Sequence, residues 1–413
     1  MKSSEVNPVQ KKKILFVAYG GGHVNLVSPI IQKFLLVDDY EVTVLGLTTA
    51  RFVLEKQGLS FLTFKDLLLE SDARALEVGQ SLANELVESK IPYDESVAYL
   101  GLSYYDLEFR LGVEKAAEMY SQSGRHAFLP LSILERLFEK IKPDLLVTTN
   151  SPRAEKAAIL IAKERNIPSI CIVDLYVLGH DKWLAKPGYA NKLCVQNATM
   201  YDSLVSCGRD PNDIVITGNP AFDKLKDPKL TKSGQEYRAQ KKWHDKKVIL
   251  WASQPEPLFH YRTQEISKYP ELPALTAKRL KKIALRHPEW HIIFRPHPSE
   301  KVNYGELPEN ITLSDDMDDL YILLSAADLI ITSTSTVGQE ALYLGKRLVT
   351  IDLSVYTPDL FYSALGFSTG VSDLENLESV LIETIYNPPK IVDLPPVGEA
   401  TSKVEAVIQE LLM

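Results

Sequence analysis

Short apolar runs alternate with helical patterns along most of this chain of 413 residues. The first run, residues 13–19, is apolar after its first lysine, as expected for a strand buried on both faces of a parallel sheet. It ends at Gly20-Gly21-Gly22-His23, after which residues 24–36 predict a helix and residues 40–47 a second strand. A strand, a glycine-rich turn, a helix and a further strand are the usual beginning of a doubly wound α/β domain.

The same alternation starts again after residue 247, with a predicted strand at 248–252, a helix at 275–286 and a strand at 290–295. Between the two series, Gly218-Asn219-Pro220 is a strong turn signal. The predicted fold class is therefore α/β, with two doubly wound, Rossmann-like domains that face a cleft. The predicted domains are residues 1–217, with a helical excursion at about 65–140; residues 218–395; and a C-terminal helix, 396–413, that packs back on the first domain.

Charge and composition exclude several classes of protein. The net charge is −8 and no Lys/Arg stripe is present, which argues against a nucleic-acid partner. No apolar run approaches the roughly 18 residues of a transmembrane helix, and the polar N-terminus lacks the apolar core of a signal peptide. Cys171, Cys194 and Cys207 have no metal-ligand spacing, so neither a metal site nor a disulfide framework is expected. We expect a cytoplasmic protein, and the counts leave peripheral membrane association open.

The first candidate motif is the glycine-rich turn before the first helix. Gly21 and Gly22 would let the backbone approach a ligand closely, and the helix N-terminus offers free N–H groups. His23 would act as a base or donate to a phosphate. The alternative is a tight turn with a solvated histidine.

Arg295-Pro296-His297-Pro298 follows the predicted strand 290–295. Ligands of open α/β sheets bind outside the carboxyl ends of the strands, so Arg295 and His297 are candidate phosphate donors. The alternative is a turn in which the arginine makes a surface ion pair.

A run of hydroxyl residues, Thr332 to Thr336, leads from an apolar strand into another helix. Thr334, Ser335 and Thr336, with the backbone near Gly338, suit a pyrophosphate, and Glu340 would accept hydrogen bonds from ribose hydroxyls. The alternative is a helix cap with Glu340 as its capping-box partner, but a cap needs only one hydroxyl.

Two further positions lie at predicted strand ends. Ser253 and Gln254 end the first strand of the second series and suit contacts to a nucleotide or a bridging phosphate. Asp174 follows a strand of the first series and is a second candidate base; the alternative is a structural role.

These motifs resemble a known superfamily in their order along the chain, from Thr217-Gly218-Asn219-Pro220 through the Arg295 and Thr334 motifs to Leu344-Gly345-Lys346. The order resembles GT-B enzymes related to hydrolysing UDP-N-acetylglucosamine 2-epimerases. It is also similar to CDP-glycerol glycerophosphotransferases and capsular-polysaccharide glycosyltransferases. The first glycine loop resembles that of GT-B transferases acting on lipid-linked sugars.

The resemblance implies roles for individual residues. Thr334, Ser335 and Thr336 would occupy a Ser-Gly-Gly phosphate loop, Glu340 the ribose-binding glutamate, and His297 the His-Pro histidine of the epimerases. The opening Gly-Thr-Arg-Pro-Glu signature of the epimerases is absent, and their proton-moving acids have no convincing match.

The leading hypothesis is therefore a metal-independent GT-B glycosyltransferase for surface polysaccharide or glycoconjugate synthesis. Its donor would be a UDP- or CDP-linked sugar, held as substrate with no cofactor, and its acceptor a glycan, a lipid-linked sugar or a protein. His23 or Asp174 would be the catalytic base. The alternatives are a hydrolysing 2-epimerase, a CDP-glycerol-type phosphotransferase and a sensor without turnover. The sequence leaves the donor, the acceptor, the stereochemical outcome and the oligomeric state open.

Overall fold

A computed structural model describes residues 11–86, 90–179, 181–260, 263–297, 300, 303–315, 318–387, 394 and 397–413. The chain divides into two compact units. Unit 1 consists of Met1–Asp223 and Glu399–Met413, and unit 2 of Lys224–Gly398. The chain thus enters unit 2 after Asp223, beyond the predicted boundary at residue 217. The predicted boundary at residue 395 and Pro298 of the second motif lie outside the described residues.

Unit 1 is built on a parallel sheet that has six strands in the described residues, in the order β2-β1-β3-β4-β5-β6. The strands are short and almost continuously apolar, as expected where both faces are covered. Their bounds are β1 Lys12–Tyr19, β2 Tyr40–Leu47, β3 Leu145–Thr149, β4 Ser169–Ile172, β5 Lys192–Val195 and β6 Ile214–Ile216.

Helices cover this sheet, and the last of them comes from the end of the chain. The bounds are α1 Gly20–Leu35, α2 Ala50–Lys56, α3 Ala73–Asn84, α4 Tyr93–Leu111, α5 Val113–Ser123, α6 Leu131–Ile141, α7 Ala154–Glu164, α8 Ala198–Ser206 and α14 Ala400–Leu412. Helices α3 to α6 form the helical excursion. The carboxylate of Asp223 accepts hydrogen bonds from the backbone N–H groups of Ala400 (3.1 Å) and Thr401 (2.7 Å), which caps α14.

Unit 2 repeats the plan with a second parallel sheet, in the order β12-β11-β10-β7-β8-β9. Its strands are β7 Lys247–Ala252, β8 Trp290–Arg295, β9 Ile311–Leu313, β10 Leu329–Thr332, β11 Arg347–Ile351 and β12 Thr369–Val371. Its helices are α9 Lys229–Gln240, α10 Leu272–Arg286, α11 Leu320–Ala326, α12 Val337–Tyr343 and α13 Leu377–Tyr386.

The strand order explains where ligands can bind. In unit 2 the chain runs from β7 to β8 on one side and later returns to β10 on the other side of β7. The loops after β7 and β10 therefore diverge, which is the switch point at which open α/β sheets bind ligands. The predicted α/β class with two Rossmann-like units is confirmed.

Three local predictions are corrected by the structure. Helix α1 begins at Gly20, not at residue 24, so the three glycines form its first turn. No element is predicted between the turn at residues 218–220 and residue 247, but α9 forms there, and its only buried residue is Gly234. Strand β12 was not predicted, since its three residues are too short to show a pattern.

None of the helices within the described ranges combines the length and apolar character needed to cross a membrane.

Candidate functional site

The first candidate site lies in unit 1, where a histidine sits between two carboxylates at the carboxyl edge of the sheet. His23 is in the first turn of α1, and Asp174 lies two residues beyond β4. Nε2 of His23 is 3.3 Å from Oδ2 of Asp174, and its Nδ1 is 3.4 Å from Oε1 of Glu155. The structure thus brings together the two residues that the sequence suggests as candidate bases.

Glu155, in the first turn of α7, is a site residue that sequence analysis misses. Its side chain is fully buried, and its Oε1 accepts hydrogen bonds from the N–H of Tyr19 (2.7 Å) and the hydroxyl of Thr149 (3.1 Å). Thr149 also lies 2.8 Å from Nδ1 of His23. The signal in the sequence is an acid at the start of a predicted helix, which is equally typical of a stabilised helix N-terminus.

The carboxylates change the charge of the imidazole. Burial by itself lowers the pKa of His23, but the charges and hydrogen bonds of Asp174 and Glu155 outweigh it and raise that pKa to about 10. Burial also tends to raise the pKa of Asp174, but the interaction with His23 leaves it below its usual value. Both groups are therefore charged at neutral pH.

Several buried polar atoms at this edge have no hydrogen-bond partner within the described chain. They are Oε2 of Glu155, Oδ1 of Asp174, Oγ of Ser151 and Nε of Arg153. The guanidinium of Arg153 lies over the ring of Tyr19, 4.1 Å from its centroid. Because unpaired buried polar atoms are costly, we expect ordered water or a ligand group to supply their partners.

The predicted glycines contribute differently from each other. The N–H of Gly21 donates to the hydroxyl of Thr49 (3.0 Å), so this amide is already paired. A methyl group added at Gly22 would meet no atom of the described residues within 4 Å.

The second candidate site lies in unit 2, at the switch point between β7 and β10. The side-chain amide of Gln254 donates to Oγ1 of Thr334 (3.0 Å) and accepts from its N–H (3.1 Å). This reciprocal pair joins the two loops. Ser253, Gln254 and Ser333 line a shallow depression beside it.

Ser253 and His297 are held by one carboxylate that the sequence does not single out. Glu300 accepts a hydrogen bond from the hydroxyl of Ser253 (2.8 Å) on one oxygen and from the N–H of His297 (3.1 Å) on the other. His297 itself is exposed. Arg295, at the end of β8, donates to the carbonyl of Asp318 (3.1 Å) and is only half-buried.

The hydroxyl-rich loop is anchored through its backbone and does not form a capping box. Thr336 precedes α12 without a side-chain capping bond. The carbonyl of Ser335 accepts from the hydroxyl of Tyr362 (2.7 Å). A methyl group at Gly338 would lie 2.9 Å from the Tyr362 ring, so only glycine lets this helix approach the ring so closely.

Glu340 is buried in unit 2, close to two residues that sequence analysis also misses. Its Oε1 accepts a hydrogen bond from the hydroxyl of Tyr321 (2.8 Å), and the ammonium of Lys224 lies 4.0 Å from the Tyr321 ring centroid. Burial raises the pKa of Glu340, although Tyr321, Lys224 and Arg295 oppose the rise. Positive charge therefore lies near the carboxylate of Glu340.

In the described part of the chain, no cluster of three or more His, Cys, Asp or Glu side chains has the arrangement of a metal site.

Residues 188–354 match the family model described as UDP-N-acetylglucosamine 2-epimerase. This segment spans less than half of the chain, and it contains every unit 2 residue that the sequence suggests as a ligand contact. No curated protein sequence matches the chain.

Solved structures similar to the chain cover nearly its whole length. One is a UDP-GlcNAc 2-epimerase from Neisseria meningitidis bound to UDP-GlcNAc, with 14% identity and a TM-score of 0.63, covering 96% of this chain and 100% of that one. Another is MurG of Acinetobacter baumannii, with 17% identity and a TM-score of 0.55, covering 97% and 99%. A third is the glycotransferase of kitacinnamycin, with 14% identity and a TM-score of 0.55, covering 98% and 100%.

At these identities the structures show a common fold. The resemblance to the GT-B superfamily is therefore confirmed: the chain has the GT-B fold, and its residues 188–354 are similar to the UDP-N-acetylglucosamine 2-epimerase family.

Proposed function

We propose that this protein is a hydrolysing 2-epimerase of a UDP-linked N-acetylhexosamine. Water adds, and the products are UDP and the free sugar with inverted configuration at C2. The match of residues 188–354 to the epimerase family carries this proposal, because that segment includes both loops of the unit 2 switch point. The proposal ranks the epimerase above the glycosyltransferase that the sequence alone favours.

Unit 2 would hold the nucleotide. Glu340 would accept hydrogen bonds from the ribose hydroxyls, and Tyr321 would fix the orientation of its carboxylate. The loop from Thr334 to Thr336 and the guanidinium of Arg295 would contact the diphosphate and stabilise the charge that develops as it leaves. The nucleotide sugar is the substrate, and no cofactor is needed.

Unit 1 would supply the proton transfers. Inverting a carbon next to the bond that breaks requires one group to remove its proton and a return of a proton to the opposite face. The cluster of His23, Glu155 and Asp174 supports this assignment, because it combines ionised groups with buried oxygens that have no partner in the described part of the chain.

A glycosyltransferase is the second candidate. It is supported by the fold shared with MurG and the kitacinnamycin glycotransferase, and by the glycine-rich loop before His23. Here the same nucleotide site would hold the donor, and unit 1 would bind a glycan, a lipid-linked sugar or a protein.

One incubation separates the candidates. The full chain is mixed with UDP-N-acetylglucosamine, with and without a cell extract as a source of acceptors, and released UDP and the free sugar are quantified. We expect equal amounts of UDP and the free 2-epimer without any acceptor. Release that depends on the extract would replace the proposal with a transferase, and binding without release would replace it with a sensor.

The nucleotide assignment has its own test. Glu340→Ala removes the acceptor for the ribose hydroxyls, and hydrogen bonds to a charged group contribute about 1.5–3 kcal/mol. We therefore expect UDP to bind roughly 10- to 100-fold more weakly by calorimetry. Glu309→Ala, at an exposed position of the same unit, should bind UDP like the parent. If Glu340→Ala also binds UDP as the parent does, the ribose assignment is wrong.

A further inference from the structure

We propose that Glu155 and Thr149 hold His23 as an imidazolium, which leaves Asp174 as the one of the two candidate bases able to accept a proton near neutral pH. Glu155 is then a positioning residue that acts through His23. The charge state of His23 stands on the geometry of unit 1 alone, while the catalytic role of Asp174 rests on the proposed function.

The argument begins with the single proton of the Thr149 hydroxyl. Its oxygen lies 2.8 Å from Nδ1 of His23 and 3.1 Å from Oε1 of Glu155. If the hydroxyl donated to the imidazole, the lone pairs of Thr149 and Glu155 would face each other at 3.1 Å. If it donates to Glu155, every contact is attractive, and Nδ1 of His23 must carry a proton that it donates to Thr149.

The other ring nitrogen faces a second acid. Nε2 of His23 lies 3.3 Å from Oδ2 of Asp174, and a contact between a nitrogen lone pair and a carboxylate oxygen would be repulsive. A proton on Nε2 makes this contact a charge-assisted hydrogen bond. With both nitrogens protonated, the ring is a cation between two anions.

The groups that face the ring support this charge. Helix α7 contributes Glu155, β3 contributes the neutral Thr149, and the segment after β4 contributes Asp174. The nearby guanidinium of Arg153 is directed onto the ring of Tyr19. The raised pKa of His23, about 10, agrees with the hydrogen-bond pattern.

His23 and Asp174 therefore have different roles. A protonated imidazole cannot act as a base, but it keeps the neighbouring carboxylate ionised and fixes one of its oxygens. The side chain of Asp174 is 27% exposed, so its carboxylate remains accessible to a hydrogen of the substrate.

The test is a pH titration of the histidine ring signals by heteronuclear NMR on the full chain, with His23 assigned by its loss in His23→Gln. We expect His23 to stay doubly protonated at about pH 7.5 and to titrate above about pH 9. Titration of His23 near its ordinary value of about 6.5 would overturn the proposal, whatever reaction the protein catalyses.

Variants then test the positioning role. Glu155→Gln keeps the shape of the side chain and should lower the pKa of His23 by about one unit or more, since it removes one of two anions. Glu378→Gln, which removes a carboxylate beside His287 in unit 2, should leave the His23 signal unchanged. An unchanged His23 titration in a folded Glu155→Gln protein would refute the role of Glu155.

If Glu155→Gln does not fold, Asp174→Asn provides the same measurement from the partly exposed side of the ring. It should lower the pKa of His23 similarly, and an unchanged titration would again contradict the proposal.

For an active protein, the pH profile is a second readout: His23→Gln should shift the acidic limb of kcat to higher pH, because Asp174 loses the cation that keeps it ionised.

Discussion

The chemistry of His23 is determined by residues far from it in the chain. A histidine beside three glycines suggests a base or a phosphate donor, and the role of base requires the ring to be neutral near pH 7. Glu155 and Asp174 follow it by more than a hundred residues, and together they reverse that expectation. The function of a titratable residue therefore depends on the strand ends that the topology brings next to it.

His291 shows the opposite effect in unit 2. Its ring is buried, stacks on Trp243 at 4.1 Å between centroids, and lies 2.8 Å from the hydroxyl of Thr312. Burial, followed by repulsion from Lys246 and Lys241, lowers its pKa to about 4. In the unfolded chain the pKa is about 6.5, so the unfolded state binds a proton more readily.

We therefore expect the stabilising effect of neutral His291 to be fully present above about pH 6.5 and to be lost as the pH falls towards 4. Between about pH 7 and pH 5 the loss should be about 2 kcal/mol in the free energy of unfolding. Gln at this position does not titrate. Over this pH range, the free energy of unfolding of His291→Gln, measured by urea denaturation, should therefore fall by about 2 kcal/mol less than that of the parent. His244→Gln, at an exposed site, should behave like the parent, and an identical pH dependence in His291→Gln would contradict the prediction.

Sequence reasoning places residues at strand ends well and misses the side chains that hold them. His23 and Asp174 are predictable because apolar strands with polar ends are visible in a single sequence. Glu155, Lys224 and Tyr321 are not, because their roles come from packing between elements that are distant in sequence. An acid in a first helical turn or a lysine in a polar stretch has an ordinary explanation until its partners are known.

Among the elements, α3 and α4 illustrate packing that depends on the absence of a side chain. A methyl group added at Gly101 in α4 would lie 2.1 Å from the carbonyl oxygen of Ala75, and one added at Gly79 in α3 would lie 2.2 Å from that of Val97. The obstacles are backbone atoms, which cannot rotate away. The two helices are therefore held at a distance that only glycine allows.

We expect Gly101→Ala to destabilise unit 1 by about 1–3 kcal/mol or more, although alanine is the better helix former by about 1 kcal/mol. Ser103→Ala in the same helix is the matched control. Ser103 is fully buried and its hydroxyl has no partner among the described residues, so its removal should be neutral or stabilising. The stability of both variants is measured by thermal unfolding and compared with that of the parent. A Gly101→Ala protein as stable as the parent would show that α3 and α4 can move apart without cost.

Helix α9 explains why element prediction fails in polar segments. Its sequence has no apolar face, and what fixes it is the close approach of Gly234 to the backbone of Ser325. The guanidinium of Arg238 adds hydrogen bonds to Asp328 (2.9 Å) and to backbone carbonyls. Contacts of this kind replace the hydrophobic stripe on which sequence patterns depend.

At the scale of the whole molecule, unit 1 is assembled from both ends of the chain. The chain leaves unit 1 after Asp223, builds unit 2, and returns at Glu399 to add α14. This helix contacts α1, and the Lys33 ammonium pairs with the Glu405 carboxylate. Unit 1 therefore cannot be completed until the residues of α14 have been synthesised.

This assembly predicts that a change at the C-terminus weakens the unit that contains the N-terminal sheet. Ile408 in α14 is fully buried, so Ile408→Ala should cost about 2–4 kcal/mol. Met413 is 99% exposed, and Met413→Ala should have no effect. In hydrogen-exchange mass spectrometry, Ile408→Ala should speed exchange in α1 and β3 while α10 and β8 of unit 2 keep their protection. Equal acceleration in both units, or none in unit 1, would mean that α14 does not stabilise unit 1 specifically.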